Sequence, residues 1–212
     1  MPPLTEQAHD IIRRTIRAGD TAIDATAGNG HDTTFLARLV GPTGAVFALD
    51  VQSAALDRTR ERLDAAGLTN VTLLHHDHAE MNAIIPERHH GQIAAVMFNL
   101  GYLPGGDAIV TTRGDRTVTA ITAALKLLRP QGVLTVIAYV GHAGGLDEAA
   151  AVERLLRELK PSDFTVRLPD AGSVTATSPR MFAVMRMSLR GLKPKGTDSI
   201  PHAVSDVTHF GV

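Results

Sequence analysis

Two aspartates near the start of this chain, one that opens a glycine-rich stretch and one that follows the next apolar run, form a pattern that could bind a ligand with hydroxyl groups and a positive charge. Asp24 opens the stretch DATAGNGHDT, and Asp50 closes the apolar run VFAL. Gly28 and Gly30 allow a tight backbone turn where a side chain would block a ligand. A carboxylate at Asp24 would repel a phosphate but could accept hydrogen bonds near an amino acid moiety. Asp50 is a natural acceptor for the two hydroxyls of a ribose.

The spacing of the glycines narrows the choice of ligand. A dinucleotide site usually has the pattern G-x-G-x-x-G, because a diphosphate must come close to the amide groups at a helix N-terminus. That spacing is absent here. Together with the two acidic positions, its absence favours S-adenosylmethionine over NAD. A tight turn from strand to helix that binds no ligand is the alternative interpretation.

A second stretch, NLGYLPGGD, covers residues 99–107 and follows a nearly unbroken apolar run. Such a run is typical of a central strand buried on both faces, and the glycines and proline after it predict a shaped loop at the ligand-binding end of a sheet. An Asn followed by a Tyr at this place is similar to a motif of amino-methylating enzymes, in which an amide oxygen and a backbone carbonyl face a target NH₂. Two acceptors on its N–H bonds would direct the lone pair of a neutral amine towards a sulfonium methyl group.

An alkylamine is mostly protonated near neutral pH, so a proton must leave before the nitrogen can attack. Three side chains could accept that proton or pass it to water, namely Asp107, His142 and Tyr102. The sequence does not choose between them.

Three histidines and an aspartate, HHDH at residues 75–78, follow a predicted strand. Imidazole and carboxylate are common metal ligands, but adjacent residues on a strand point to opposite faces and cannot all converge on one ion. We therefore predict no metal site. Asp77 or His78 could instead contact the exocyclic amine of an adenine, and a polar start to a loop is the alternative.

Alternating strand and helix patterns place these stretches in a doubly wound sheet. Strands are predicted at residues 21–23, 45–49, 71–74, 92–98, 133–139, 164–168 and 181–189. Helices are predicted at 5–18, from about 32, and at 53–66, 115–128 and 146–159. No helix is apparent between the last two strands, so we expect an antiparallel hairpin at one edge. The predicted fold class is α/β, Rossmann-like, with seven strands.

Composition predicts one soluble domain. At 212 residues with 44% hydrophobic content, the chain can bury one substantial core, which we assign to residues 1–190, with a C-terminal extension of unassigned role at 191–212. Cysteine is absent, which excludes disulfides and thiolate chemistry. The apolar runs are too short for a membrane span and the start MPPLTE lacks the features of a secretory signal, so we expect a cytoplasmic protein that does not contact membranes.

Charge gives a weak indication about nucleic acid. The net charge of −1 means that no global basic field favours RNA, although local patches can serve. Residues 171–197 contain no acidic side chain and five basic ones, Arg180, Arg186, Arg190, Lys193 and Lys195. This segment is either a patch that contacts phosphates or an ordinary solvated edge. The arginines of the first predicted helix are interpreted as its solvated face.

With NGHDTTFLA and FNLGYLPGGD both identified, the sequence resembles the small class I methyltransferases of the "putative rRNA methylase" family, now associated with methylation of 5-aminomethyl-2-thiouridine at the wobble position of tRNA. The resemblance extends over about residues 23–145. It implies S-adenosylmethionine as methyl donor, the seven-stranded sheet, a homodimer, and a tRNA anticodon stem-loop as substrate. It also implies that the nitrogen of an aminomethyl group accepts the methyl.

The resemblance also implies roles for individual residues. Residues 28–33 match the cofactor loop of the family, Asp50 with Gln52 matches its ribose-binding strand end, and residues 99–102 match the loop under the acceptor amine. The expected cofactor contacts are Asp24, Ala25, Gly28, Asn29, Gly30, His31, Asp32, Thr33, Asp50, Val51, Gln52, Asp77, His78, Asn99, Leu100 and Gly101. The expected catalytic residues are Asn99, Tyr102, Asp107 and His142.

The sequence departs from the family after the fifth predicted strand. The usual pattern there is YHGHP, whereas this chain has YVGHA, which keeps only the second histidine, His142. The departure concerns the target nucleotide and leaves the cofactor motifs intact. Two alternative functions therefore remain open, a small-molecule N- or O-methyltransferase on the same fold and a non-catalytic subunit that binds S-adenosylmethionine.

Overall fold

The computed structural model describes residues 2–101, 112–169 and 177–188. The helices are α1 (Leu4–Thr15), α2 (His31–Val40), α3 (Ser53–Ala65), α4 (Met81–Ile84), α5 (Gly114–Leu127) and α6 (Gly145–Arg157). The strands are β1 (Thr21–Asp24), β2 (Ala45–Asp50), β3 (Val71–His75), β4 (Ile93–Leu100), β5 (Leu128–Ala138), β6 (Phe164–Arg167) and β7 (Arg180–Arg186). Each predicted element has a counterpart here, and the single-turn helix α4 was not predicted.

The strands form one sheet in the order β3-β2-β1-β4-β5-β7-β6. Strands β1 to β5 pair in parallel, whereas β7 is antiparallel to both β5 and β6. The predicted α/β class and the antiparallel edge are therefore confirmed. The order of strands reverses between β1 and β4, and the carboxyl ends of parallel strands at such a reversal flank a crevice that binds ligands.

Helices cover both faces of the sheet, because its central strands are apolar on both sides. On one face, Phe98 and Leu134 belong to a core cluster with Ile121 of α5 and Val152 of α6. The other face is covered by α1, which packs on β4 and β5, and by α2, which packs on β1 and β2. The position of α1 matters for the site, since its first two turns reach the carboxyl ends of the strands.

The boundary between α5 and β5 differs from the prediction. The pattern predicted a helix through residue 128 that is stopped by Pro130 and Gly132, but α5 ends at Leu127 and β5 begins at once. A residue that precedes proline is disfavoured in helical conformation, which ends the helix early. A Cβ at position 132 would lie 2.8 Å from the carbonyl oxygen of Ile93, so glycine fits at this irregularity in the pairing of β4 with β5.

None of the described helices is both long and apolar enough to span a membrane. The extension at residues 191–212 lies outside the described residues, as do Tyr102, Asp107 and Arg190.

Candidate active site

A cavity of about 800 Å³ opens at the carboxyl ends of β1 to β5. Its wall is built from the loop after β1, the ends of β2, β3 and β4, the turn after β5, and the start of α1. The structure thus brings most of the predicted site residues together around one space. Those that line it are Ala25, Gly28, Asn29, His31, Asp32, Asp50, Val51, Gln52, Asp77, His78, Asn99, Leu100, Gly101 and His142.

The glycine loop is held in place by the end of the neighbouring strand. Gly28 and Gly30 adopt left-handed backbone conformations, with φ of 54° and 77°. The backbone N–H of Gly28 donates to Oδ2 of Asp50 across 2.9 Å, and the N–H of Gln52 donates to Oδ1 across 2.9 Å. The carboxylate of Asp50 is therefore oriented by two backbone donors beside the cavity.

Asp24 lies behind the cavity wall and does not line it, and the same is true of Gly30 and Thr33. Asp24 is fully buried and accepts hydrogen bonds from the hydroxyl of Thr33 across 2.6 Å and from the N–H of Thr26 across 3.2 Å. Burial, and then the negative charge of Asp32, raise the pKa of Asp24 to about 7. This geometry gives Asp24 the position of a support for the loop, in place of the direct contact with an amino acid moiety that we expected.

The end of β3 carries two polar side chains with different surroundings. Burial disfavours the charged form of Asp77, but the N–H of Ala79 at 2.8 Å and the guanidinium of Arg116 at 2.9 Å outweigh it and lower the pKa of this carboxyl. His78 packs edge-on against Phe98, with 5.7 Å between ring centroids, and burial lowers its pKa. Both residues line the cavity where the adenine was expected. The other two histidines of the HHDH run turn elsewhere, His75 to the carbonyl of Val51 and His76 to Glu80.

Asn99, at the end of β4, is held by its backbone and by its side chain. Its N–H donates to the hydroxyl of Thr26 across 2.8 Å, and its side-chain Nδ2 donates to Oδ2 of Asp32. The amide oxygen Oδ1 is shielded from solvent and has no hydrogen-bond partner among the described residues. A buried acceptor without a partner is uncommon in folded proteins and marks Asn99 as a candidate functional residue.

Sequence reasoning missed His9. Its Nε2 lies 2.6 Å from Oδ1 of Asp32, and its ring stacks on Phe35 with 3.7 Å between centroids. The available indication was periodicity, because His9 stands one helical turn before the buried Ile12 on the inward side of α1.

The turn after β5 brings Tyr139 and His142 to the cavity wall. Burial, and then the charge of Asp32, raise the pKa of Tyr139. Gly101 has φ of 151°, and a Cβ there would lie 3.3 Å from Cβ of Tyr139, so only glycine suits this close approach of the β4 and β5 ends. Of the three proton acceptors predicted, His142 is the one within the described residues.

A second, basic cleft of about 850 Å³ lies between α2 and α3. Its ionisable lining residues are Arg38, Arg58, Arg62, His31 and Glu61. Arg58 donates to the side chain of Asn29 across 3.2 Å, and Arg62 donates to the carbonyl oxygen of Asn29 across 2.8 Å. Because Asn29 and His31 line both spaces, the cleft adjoins the cavity at the carboxyl ends of the strands.

Two arginines of the predicted phosphate patch fall within the described residues, and both contact protein groups. Arg180 lies 4.0 Å from Glu153, and Arg186 donates to the carbonyl of Leu128. On the first helix, Arg13 pairs with Asp10 across 2.6 Å, and both side chains are exposed, as expected for a solvated face.

The residues of the cavity at the carboxyl ends of the strands fit S-adenosylmethionine. Asp50 presents carboxylate oxygens for a ribose diol beside a loop whose glycines leave room for a ligand. Asp77, His78 and Asn99 line the same cavity, and Oδ1 of Asn99 has no hydrogen-bond partner in the part of the chain that the structure describes. The volume is also in the range of small-molecule sites.

Comparison with known proteins gives consistent relatives. The family model "Putative rRNA methylase" matches residues 46–185. The tRNA (mnm(5)s(2)U34)-methyltransferase, chloroplastic, of Arabidopsis thaliana is 39% identical over 169 residues, which cover 76% of this chain but only 61% of that protein. Among solved structures, a "putative rRNA-methylase" from Clostridium thermocellum has a TM-score of 0.83 and 36% identity, and the match covers 88% of this chain and 99% of that one. A "putative methyltransferase" from Streptococcus mutans in complex with SAH has a TM-score of 0.78, 35% identity and the same coverage.

Proposed function

Since this chain belongs to the "Putative rRNA methylase" family, we propose that it is an S-adenosylmethionine-dependent N-methyltransferase whose acceptor is the aminomethyl nitrogen of wobble uridine in tRNA. The cofactor is S-adenosylmethionine, in agreement with the polar side chains that line the cavity and with the related structure that contains SAH. The assignment of the nucleotide and of the methylated atom is inferred from the name of one relative and from the geometry around Asn99.

The observation that carries the proposal is that Oδ1 of Asn99 has no hydrogen-bond partner within residues 2–101, 112–169 and 177–188. An amine N–H can donate to this oxygen, and with a second acceptor it would hold the nitrogen lone pair towards the methyl group of the donor. The sulfonium of the cofactor supplies an electrophilic methyl group. In this arrangement the protein mainly orients the two reactants and excludes water.

The protonated acceptor must lose a proton before the nitrogen can attack. His142 lines the cavity, and we propose it as a proton acceptor. Tyr102 and Asp107, which were predicted from the sequence, are the other two candidates. The new N–C bond forms as the S–C bond breaks, and the products are S-adenosylhomocysteine and the N-methylated amine.

An RNA substrate is supported by the basic cleft. Three guanidinium groups and one carboxylate line it, and a guanidinium forms strong paired hydrogen bonds with phosphate oxygens. The cleft shares part of its wall with the cavity for S-adenosylmethionine, so an RNA backbone bound in the cleft would approach the reaction site. Because the positive charge is concentrated in this cleft, a net charge of only −1 for the whole chain is compatible with RNA binding. The homodimer and the cytoplasmic location remain predictions.

Mass spectrometry of bulk tRNA nucleosides tests the substrate. Cells that lack the gene should accumulate the unmethylated aminomethyl uridine, and purified protein with labelled donor should methylate an aminomethylated anticodon stem-loop. A normal nucleoside profile together with no transfer in vitro would overturn the substrate assignment. Methylation of a small amine without any salt-dependent RNA binding would instead support the small-molecule alternative.

A further inference from the structure

Three side chains from three separate elements form a continuous hydrogen-bonded row beside the cavity. His9 of α1 contacts Oδ1 of Asp32 at the start of α2, and the other carboxylate oxygen accepts from Nδ2 of Asn99 at the end of β4. Asp32 is buried, with 6% of its surface exposed. Its carboxylate therefore links α1 to the residue that we place under the acceptor amine.

The chemistry of Asp32 determines which end of the Asn99 amide faces it. The side-chain Nδ2 of Asn99 faces Oδ2 of Asp32, and this carboxylate oxygen accepts the hydrogen bond that the amide NH₂ group donates. The carbonyl oxygen Oδ1 is then left for another donor, in agreement with its lack of a partner among the described residues. If the amide rotated by 180°, two acceptors would face each other and the acceptor amine would meet an N–H.

His9 restrains the carboxylate from the opposite side. Its Nε2 lies 2.6 Å from Asp32, a distance typical of a strong hydrogen bond to a charged group. The ring is itself fixed by parallel stacking on Phe35, with an interplanar angle of 6°. Without this donor, Asp32 could rotate and lose its contact with Asn99.

We propose that His9 and Asp32 are positioning residues, which hold the Asn99 amide with its carbonyl oxygen directed to the acceptor amine. The identity of that acceptor rests on the proposed function, whereas the orientation of the amide does not. Neither residue needs to touch the reacting atoms for this role.

Two substitutions at His9 separate the hydrogen bond from the packing. His9→Phe keeps a ring that can stack on Phe35 but removes the donor, whereas His9→Gln keeps a donor and removes the ring. Arg13→Ala is the matched control, because Arg13 also covers Phe35, with 5.1 Å to its ring centroid, and pairs with Asp10 instead of Asp32.

The first measurement is kinetic, with the aminomethylated anticodon stem-loop as substrate. We expect His9→Phe to lower kcat by about 10- to 100-fold and to lower the Tm by a few degrees, because a buried carboxylate oxygen loses its partner, while the KM and the affinity for S-adenosylmethionine stay near wild type. His9→Gln should recover most of the lost kcat, and Arg13→Ala should behave as wild type. Wild-type kcat in His9→Phe, or an equal loss of donor binding and turnover, would overturn the proposal.

The second measurement needs no acceptor. In protein labelled with ¹⁵N-asparagine, the side-chain NH₂ resonances of Asn99 can be assigned by their loss in Asn99→Ala. We expect slow hydrogen exchange of these protons in wild type and in His9→Gln, and faster exchange in His9→Phe. Equal exchange in all three proteins would refute the positioning role. If the wild type methylates no tRNA, the proposed function fails while this measurement still decides the inference.

Discussion

The carboxylate of Asp50 accepts a hydrogen bond from the backbone N–H of Gly28 across 2.9 Å, which ties the end of β2 to the glycine loop after β1. Each carboxylate oxygen keeps a second lone pair for another donor. One side chain can therefore shape the loop and also accept hydrogen bonds from the ribose of the methyl donor.

Asp50→Ala should weaken S-adenosylmethionine binding by about 10- to 100-fold, because the loop loses its anchor and the ribose loses its acceptors. Isothermal titration calorimetry measures the change. Asp57→Ala, on the exposed side of α3, is the control and should bind as wild type. Unchanged affinity in Asp50→Ala would remove this residue from the donor site.

Asn99→Ala should retain donor binding and lose most turnover, by about 100-fold or more in kcat, because the acceptor amine loses the group that orients it. Calorimetry and a methylation assay give the two quantities separately. Asn82→Ala, at an exposed position on α4, should leave both unchanged. An equal loss of donor binding and turnover would contradict the assigned role.

Gly30→Ala should destabilise the fold by about 2 to 4 kcal/mol, because it combines a left-handed φ with crowding. A Cβ at Gly30 would lie 2.9 Å from Cα of Thr59, whereas one at Gly41, with a similar φ of 69°, would meet nothing within 4 Å. Gly41→Ala should therefore cost only about 1 to 2 kcal/mol, from backbone strain alone. Urea unfolding compares the two variants, and equal losses would show that contact with Thr59 is unimportant.

Asp24 should make the free energy of unfolding depend on pH. Its pKa rises from 3.8 to about 7 on folding, so the folded protein binds the proton more tightly. Its contribution is greatest below pH 4 and is lost as the pH rises towards 7, by at most about 1.4 kcal/mol per pH unit. The difference between wild type and Asp24→Asn, measured by urea unfolding from pH 4 to 8, isolates this group. Parallel pH profiles would show that the pKa of Asp24 does not change on folding.

Arg38→Glu should weaken binding of the anticodon stem-loop and reduce its salt dependence, because a phosphate contact in the basic cleft is lost. The slope of log affinity against log salt should fall by about 1 for each contact removed. Fluorescence anisotropy with labelled RNA measures both effects. Arg60→Glu carries the same charge change on α3, where Arg60 pairs with Asp57 outside the cleft, and should have a smaller effect. Equal effects of the two variants would show only a general charge response.

Local sequence was enough for the parallel part of the sheet and for the glycine loop at its carboxyl edge. The apolar runs of β1, β2 and β4 and the glycines at 28, 30 and 101 act over a few neighbouring residues, so their structures could be predicted. The position of β7 between β5 and β6 was not apparent, because a local pattern indicates a strand without naming its partners.

The sequence by itself determined the fold class and the glycine loop, because propensity, turn chemistry and periodicity are local properties. Only the tertiary structure decided which side chains meet. His9 and Asn99 are 23 and 67 positions from Asp32, and their contacts depend on how α1 and α2 pack on the sheet. Packing also buried Asp24 beneath the loop and gathered Arg38, Arg58 and Arg62 in one cleft, since the distance between side chains in space is set by the whole core.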